Sequence, residues 1–409
     1  MSRFLHYFQK YVLFIGVINF LLLSVASAAN RTIDLHIAYK TVNFSGESTK
    51  AIAINDQIPG PTLHFKEGDH VTINVYNDLD KGTAIHWHGL IIPWRMDGVD
   101  GVSQKPIAPG SVFHYEFTLK QSGTYWYHAH AGFQEQAGAY GGMIIDPIHK
   151  RRYPNAKDAV IVLSDWSNAL GRQVYYNLKK EGDYYSSKFP IQPSLVKFIR
   201  DYSRATPEER KQLVSDYKMM QDMRMSIYDI SDVAYDAFLL NGKSNKEPWT
   251  RLVKVGDTVR LRFIGAAGST IFQVKIPDVE MRMVQVQGHA IPPKIVKEFT
   301  IAPGETYDIL VKIRKKSPVI IYAESTDTVG AALGALITEP NQIVDYKSVQ
   351  PFPEPKPVSM MGPMDHSMGT MNHSTGSMNM SSMSHHHHTM PSGPYKTTGT
   401  KYQNLKAIH

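Results

Sequence analysis

The sequence predicts an all-β fold built from two tandem β-sandwiches. Short alternating or β-branched runs, separated by Gly, Pro, Asn and Asp, extend from residue 30 to about residue 147. The clearest runs lie at 32–42, 70–75, 112–119 and 143–146. This spacing of short strands and turn residues is typical of a β-sandwich.

The same unit occurs twice along the chain. The segment FKEGDHV at 65–71 has a counterpart, VKVGDTV, at 253–259, and IAPG at 107–110 recurs at 301–304. The two markers keep their order and follow each other at similar intervals in both copies. Two homologous sandwiches with Greek-key connections are the simplest explanation.

The second copy begins with a strand at 158–165, finishes near Thr338 and contains an insertion at about 167–233. Inside the insertion, a Thr-Pro-Glu-Glu sequence at 206–209 forms a capping box, which predicts a helix running towards residue 225. That helix carries Met219, Met220, Met223 and Met225. Methionine commonly fills gaps in a core. A surface for soft metal ions is the alternative.

Composition excludes several kinds of function. The 409 residues, 42% hydrophobic and 20% charged, are typical of a globular protein of two or three domains. The net charge of +7 is not concentrated in one arm, so we expect no nucleic-acid partner. The chain has no Cys, which excludes disulfides, thiol nucleophiles, iron–sulfur clusters and any copper site that needs a thiolate.

The N-terminus has the layout of a secretory signal peptide at 1–28. Arg3 and Lys10 precede an apolar run at 11–25, and the small residues of Ala-Ser-Ala at 26–28 follow it. An uncleaved membrane anchor is the alternative, but this run is short for a bilayer span of about 20 residues. We therefore expect an exported protein without stable membrane insertion.

Two His-x-His pairs are the sharpest chemical feature of the chain. His86 and His88 form the first pair, and His128 and His130 the second. Residues two apart on a strand project from the same face, so each pair presents two imidazoles to one side. One such pair can arise as a structural pair, but two at matching places indicate a metal site. Imidazole suits copper, zinc, iron and nickel alike, so the residue types do not choose the metal.

Four segments that include these pairs resemble the first cupredoxin domain of the multicopper oxidases, and they lie at 55–61, 86–90, 121–130 and 141–146. The segments at 132–136, 163–166 and 223–225 and a Met/His-rich C-terminal stretch are similar to the periplasmic copper-resistance protein A type of that family. The resemblance implies cupredoxin domains at 29–148 and 149–340, a linker or disordered tail at 341–409, and a periplasmic location.

In that family a type 2 copper and a binuclear type 3 pair form a cluster that reduces O2 to water. The resemblance implies that His86 binds the type 2 copper and that His88, His128 and His130 bind the type 3 coppers. Asp97 matches an acid that relays protons near the cluster in relatives. Asp97-Gly98 is also good turn chemistry, so both roles stay open.

The sequence departs from the family pattern in one respect. The full family has a third cupredoxin domain with a His-x-x-His-x-His block and a His-Cys-His block, and neither block occurs in these 409 residues. His289, a lone histidine in the second copy, is expected to be a surface or turn residue. The chain therefore carries half of a trinuclear site and no Cys for the type 1 copper.

This deficit leaves several functions open. The resemblance implies oxidation of Cu(I) or a phenolic substrate with O2 if a separate polypeptide supplies the third domain; otherwise the chain is a truncated product of a longer oxidase gene. A non-enzymatic copper-sequestering protein is the rival. A copper-free scaffold is disfavoured because all four histidines are present. Copper nitrite reductase is excluded because its type 1 site needs a Cys.

The C-terminal stretch is the second predicted metal-binding feature. Met and His recur among Ser, Gly, Asn and Thr between Met360 and Met390, a composition that cannot form a core. Thioethers prefer Cu(I), whereas imidazoles also accept Cu(II), so the stretch suits copper capture in both oxidation states. A neutral linker and a purification tag are the alternatives. The predicted ligands are Met364, His366, Met368, Met371, His373, Met378, Met380, Met383, His385, His386, His387, His388 and Met390.

Overall fold

A computed structural model describes residues 29–149, 152–180, 184–185, 188–189, 195–223 and 231–355 of the chain. The predicted signal peptide, Met225 and all the predicted tail ligands lie outside the described residues. Among the residues that are described, no helix is long and apolar enough to cross a membrane.

The first sandwich is formed by two four-stranded sheets. The strands are β1 (Asn30–Val42), β2 (Thr49–Ile54), β3 (Gly60–Lys66), β4 (His70–Asn77), β5 (Ile85–His88), β6 (Val112–Thr118), β7 (Gly123–Ala129) and β8 (Tyr140–Asp146). One sheet has the strand order β2-β1-β4-β6 and the other β3-β8-β7-β5. Their facing sides enclose a core that includes Ile73, Trp87, Tyr115 and Tyr127, each fully buried. A short 3-10 helix, Trp94–Met96, follows β5.

The second sandwich packs a six-stranded sheet against a five-stranded sheet. The strands are β9 (Lys157–Trp166), β10 (Ala237–Leu240), β11 (Trp249–Leu252), β12 (Thr258–Gly265), β13 (Phe272–Lys275), β14 (Met281–Val286), β15 (His289–Val296), β16 (Glu298–Ile301), β17 (Thr306–Lys312), β18 (Val319–Ser325) and β19 (Ala331–Ile337). The strand order is β10-β9-β12-β17-β14-β15 in the larger sheet and β11-β19-β18-β13-β16 in the smaller one. Another 3-10 helix, Tyr346–Ser348, follows β19.

The sheet topology confirms the predicted repeat. In the first sandwich β1 pairs in parallel with β4, which pairs antiparallel with β6. In the second, β9 pairs in parallel with β12, which pairs antiparallel with β17. The repeated markers form equivalent turns, since Gly68 and Gly256 have φ angles of 91° and 93° before β4 and β12. The all-β prediction of two tandem sandwiches is therefore correct.

The insertion into the second sandwich is partly helical, as predicted. It contains α1 (Gly171–Lys180), α2 (Leu195–Arg204) and α3 (Pro207–Met223). The capping box forms at the start of α3, where the Thr206 N–H donates to Glu209 Oε2 at 2.8 Å and the Glu209 N–H donates to Thr206 Oγ1 at 3.4 Å. Two backbone donors at the helix N-terminus are thereby satisfied.

A buried polar network joins the two sandwiches. The Thr124 hydroxyl on β7 donates to Asp308 Oδ1 on β17 at 2.7 Å and accepts from Arg262 at 2.9 Å. Asp308 is fully buried and also accepts from Arg260 at 2.7 Å and from Arg262 at 3.1 Å. The two guanidinium groups offset the negative charge of this buried carboxylate. The network therefore holds β7 against the second sandwich.

We expect the Asp308→Ala substitution to destabilise the protein by about 3–5 kcal/mol, because it leaves two buried guanidinium groups without their shared partner. The matched control is Glu247→Ala, which removes an exposed ion pair with Lys243 and should cost about 1 kcal/mol or less. Denaturant unfolding measures both. Equal losses in the two variants would contradict the importance of the buried network.

Candidate metal centre

The pairing of β5 with β7 places the histidines of both pairs on one face. His86 lies directly opposite His128, and His88 lies opposite Trp126. His130 follows the end of β7, where its N–H donates to the Ala84 carbonyl at 2.9 Å. The intervening Trp87 points to the other face and is fully buried in the first core. This is the arrangement that the alternation of side chains along a strand predicts.

Three of the four imidazoles form a compact cluster. His86, His88 and His128 each offer one ring nitrogen, and these nitrogens lie within 4.8 Å of one another. His130 is exposed, and its ring centre lies 5.7 Å from that of His86 and 5.9 Å from that of His128. The structure thus brings three of the predicted ligands together and leaves the fourth beside them.

Hydrogen bonds determine which nitrogen two of the rings present. The Nδ1–H of His86 donates to the Asp97 carbonyl at 2.7 Å. Nδ1 of His128 lies 2.7 Å from Glu135 Oε2 and 3.2 Å from the Ala129 carbonyl oxygen. A carbonyl or an ionised carboxylate can only accept, so Nδ1 carries the hydrogen in both rings. In the neutral form of each ring, the lone pair is therefore on Nε2.

His88 is oriented the other way. Its Nδ1 lies 3.4 Å from Nε2 of His128, whereas its Nε2 faces Gly304 of the second sandwich. A Cβ atom at residue 304 would lie only 3.1 Å from that nitrogen. Gly304 also has a φ angle of 86°, which favours glycine. The second sandwich therefore closes one side of the His88 ring although it supplies no imidazole to the cluster.

Asp97 lies in a turn and contacts the His86 ring. It caps the 3-10 helix Trp94–Met96, and its carbonyl, not its carboxylate, is the nearest acceptor for His86. Its Oδ1 lies 3.5 Å from Nδ1 of that ring. The next residue, Gly98, lies so close to β5 that a Cβ atom would overlap the Ile85 carbonyl. The turn thus positions His86, and the proton-relay role stays a prediction.

Burial keeps two of the clustered imidazoles neutral. It lowers the pKa of His86, and it lowers the pKa of His88 to about 4, with His128 and His86 nearby adding to the effect. Neutral imidazole is the form that binds a metal ion. Near pH 7 these rings are therefore ready to act as ligands without losing a proton first.

This donor set fits a transition-metal ion. Metal–imidazole bonds are about 2 Å long, so nitrogens spread over 4.8 Å can reach one ion after small movements, or two neighbouring ions. Imidazole nitrogen suits copper. Among the described residues, this is the one cluster of three or more such ligand groups. His289 is exposed at the start of β15 and donates to the Gln287 carbonyl, as expected of a surface residue.

Sequence reasoning missed two residues of this centre. Gly304 was recognised only as part of a repeated turn marker, and nothing local indicates that its turn meets His88. Glu135 lies in a segment used only for family resemblance, although a carboxylate five residues after a His-x-His pair is a usable signal.

Two family models described as multicopper oxidase match this chain, one over residues 36–150 and the other over residues 157–336. Together with the sandwich fold and the clustered histidines, these matches show that the chain belongs to the multicopper oxidase family.

Its curated relatives include copper resistance proteins. The chain is 38% identical over 346 residues to copper resistance protein A of Escherichia coli, covering 84% of this chain and 56% of that protein. It is also 38% identical over 336 residues to copper resistance protein A of Pseudomonas syringae pv. tomato, covering 81% and 54%. The chain thus spans a little over half the length of these relatives.

Solved structures show the same fold. A blue copper oxidase from Nitrosomonas europaea aligns with a TM-score of 0.56 and 25% identity, covering 76% of this chain and 86% of that one. A laccase from Botrytis aclada aligns with a TM-score of 0.60 and 23% identity, covering 80% and 56%.

We expect Gly304→Ala to weaken Cu(II) binding by about tenfold or more, the range seen when groups that orient metal ligands are changed, because the new methyl group displaces the His88 ring. Gly256→Ala is the matched control. It has a similar φ angle of 93°, but nothing lies within 4 Å of its Cβ position. Copper titration measures the copper affinity of both variants. Denaturant unfolding measures the loss of stability that both variants share because Ala is strained at a positive φ angle. Equal copper affinities in the two variants would contradict a role for Gly304.

Proposed function

We propose that this chain is a periplasmic copper-resistance protein that binds copper through His86, His88, His128 and His130. With a third cupredoxin domain supplied by another polypeptide, it oxidises Cu(I) or phenolic substrates with O2. The observation that carries this proposal is the cluster of three imidazoles, each with one ring nitrogen within 4.8 Å of the others, on one face of the first sandwich. The relatives named copper resistance protein A support the physiological role.

Each histidine has a proposed place in the half-site. His86 is assigned to the type 2 copper, and His88, His128 and His130 to the type 3 coppers. The 3.4 Å between Nδ1 of His88 and Nε2 of His128 supports a shared ion, since two metal–nitrogen bonds of about 2 Å can span that distance. His130 lies at the exposed edge of the cluster, where further ligands from a partner domain would arrive.

Copper bound at these imidazoles would supply one-electron redox chemistry. The chain's own residues orient the rings and exclude water from one side of them. Trp126, 2% exposed, stacks on His128 with ring centres 4.3 Å apart, and it packs with Ile264 of the second sandwich. We assign to the Asp97 carboxylate, partly exposed and 3.5 Å from Nδ1 of His86, the transfer of protons between solvent and the site.

The remaining parts of an oxidase must come from outside these 409 residues. The type 1 copper that accepts electrons needs a Cys thiolate, and the chain has no Cys. Four imidazoles are also half of the ligands expected for the trinuclear cluster. Turnover by this chain alone is therefore not expected.

The second candidate function is copper sequestration without catalysis. The Met/His-rich stretch between Met360 and Met390 favours it, because thioethers and imidazoles together bind Cu(I) and Cu(II). We propose that this stretch collects copper in the periplasm, with the N-terminal segment at 1–28 acting as the export signal.

Copper titration of the exported chain tests the proposed site. We expect His88→Ala combined with His128→Ala to abolish the copper that is bound at the sandwich, whereas His289→Ala, at an exposed position, should retain it. Replacement of the tail Met and His residues by Ser should remove only the additional copper. If the double variant bound as much copper as the wild type, the proposed site would be wrong.

Oxygen consumption separates the two functions. The chain alone should consume no O2 with Cu(I) or a phenol as the reductant. Addition of a polypeptide that carries His-x-x-His-x-His and His-Cys-His blocks should produce O2 consumption that the His88/His128 double variant lacks. If the chain binds copper but O2 consumption does not rise when that polypeptide is added, the result supports sequestration. Oxidase activity of the isolated chain would contradict the need for a third domain.

A further inference from the structure

We propose that Glu135 is a positioning residue of the copper centre: its carboxylate holds the Nδ1–H of His128 and thereby presents Nε2 of that ring to copper. The proposal rests on the copper-binding function proposed above. It adds a residue outside both His-x-His pairs to the set that determines copper affinity.

The contact between Glu135 and His128 is short and enclosed. Glu135 Oε2 lies 2.7 Å from Nδ1 of His128, and the two side chains are 30% and 8% exposed. The opposite nitrogen, Nε2, lies 3.4 Å from Nδ1 of His88, inside the cluster. The carboxylate therefore shares with the Ala129 carbonyl the nitrogen that faces away from the other ligands, and Nε2 faces the His88 ring inside the cluster.

The backbone that carries Glu135 is held in place by its buried neighbour. Gln134, 3% exposed, accepts from the Thr83 hydroxyl at 2.6 Å and donates to the Gly82 carbonyl at 2.7 Å. The Glu135 carbonyl in turn accepts from the Gly138 N–H at 2.9 Å. On the far side, the Ala137 carbonyl accepts from the Ile52 N–H of β2 at 2.8 Å. Because the loop is anchored at Gln134 and at Ala137, the carboxylate keeps its position relative to β7.

The His128 ring is restrained from a second direction. Trp126 stacks on it with an interplanar angle of 18°, which fixes the plane of the imidazole, while Glu135 fixes its rotation within that plane. The other inner rings have weaker restraints of this kind, since His86 donates to a neutral carbonyl and His88 faces Gly304. A carboxylate behind a ligating histidine both orients the ring and makes it a stronger donor to the metal.

Two measurements on the full-length chain test the proposal. In the metal-free protein, ¹⁵N NMR of the histidine rings should show His128 protonated at Nδ1 in the wild type and a larger share of the Nε2-protonated form in Glu135→Ala, where only the Ala129 carbonyl remains beside Nδ1. Cu(II) titration should show affinity about 10–100-fold lower for Glu135→Ala. The Cu(II) affinity of Glu135→Gln should lie between those of the wild type and Glu135→Ala, because the amide oxygen of Gln still accepts from Nδ1 but carries no charge.

Glu116→Ala is the matched control. It removes another carboxylate that lies 3.0 Å from a histidine nitrogen, that of His70, in the other sheet of the first sandwich. Copper affinity should not change in this variant. Circular dichroism confirms that each variant is folded before affinities are compared.

Unchanged copper affinity in a folded Glu135→Ala protein would overturn the proposal, as would protonation of His128 at Nε2 in the metal-free wild type. Failure of the copper function gives a different result. In that case the wild type itself would bind no copper at the sandwich, and the NMR measurement on metal-free protein would still decide whether Glu135 holds the Nδ1–H of His128.

Discussion

The register of β5 against β7 is the constraint on which the metal centre depends. In an antiparallel pair, a slip of one residue moves every side chain of a strand to the opposite face. The observed register places His86 opposite His128 and Trp87 opposite Tyr127. A one-residue slip would put Trp87 on the imidazole face and a histidine in the core. Burial of the aromatic pair therefore protects the register of the histidines.

The same strand connects the centre to the second sandwich. The first part of β7 carries Thr124, which is bonded to Asp308, and the last part carries His128. A side chain at Gly123, at the start of β7, would clash with the backbone of Gly288, and a side chain at Gly288 would clash with Tyr125 of β7. A sandwich without ligands of its own thus has a clear role, since it clamps β7, covers Trp126 and closes the outer side of His88.

Local patterns predicted the parts of the molecule that depend on local physics. Side-chain alternation predicted the strands and the shared face of the histidines, and the Thr-x-x-Glu pattern predicted the start of α3. The contact of Gly304 with His88 joins segments more than 200 residues apart, and it depends on how the sandwiches pack. No periodicity encodes that distance. His130 differs from His128 because it lies just beyond β7, which ends at Ala129, and its side chain is exposed although its N–H still bonds to Ala84.

The clustered imidazoles are oriented for metal binding, but the surrounding protein does not enclose them completely. Asp97, Glu135 and Gly304 each occupy the outward side of a different ring, so the inward nitrogens converge. Such support from surrounding groups is what a precise metal site requires. The cluster nevertheless remains open on the side of His130. A cluster that is preorganised and open is compatible with both proposed functions, completion by another domain and simple capture of copper. The two functions diverge at electron transfer, because an imidazole cluster can hold copper unaided, whereas the type 1 copper that feeds an oxidase needs a thiolate.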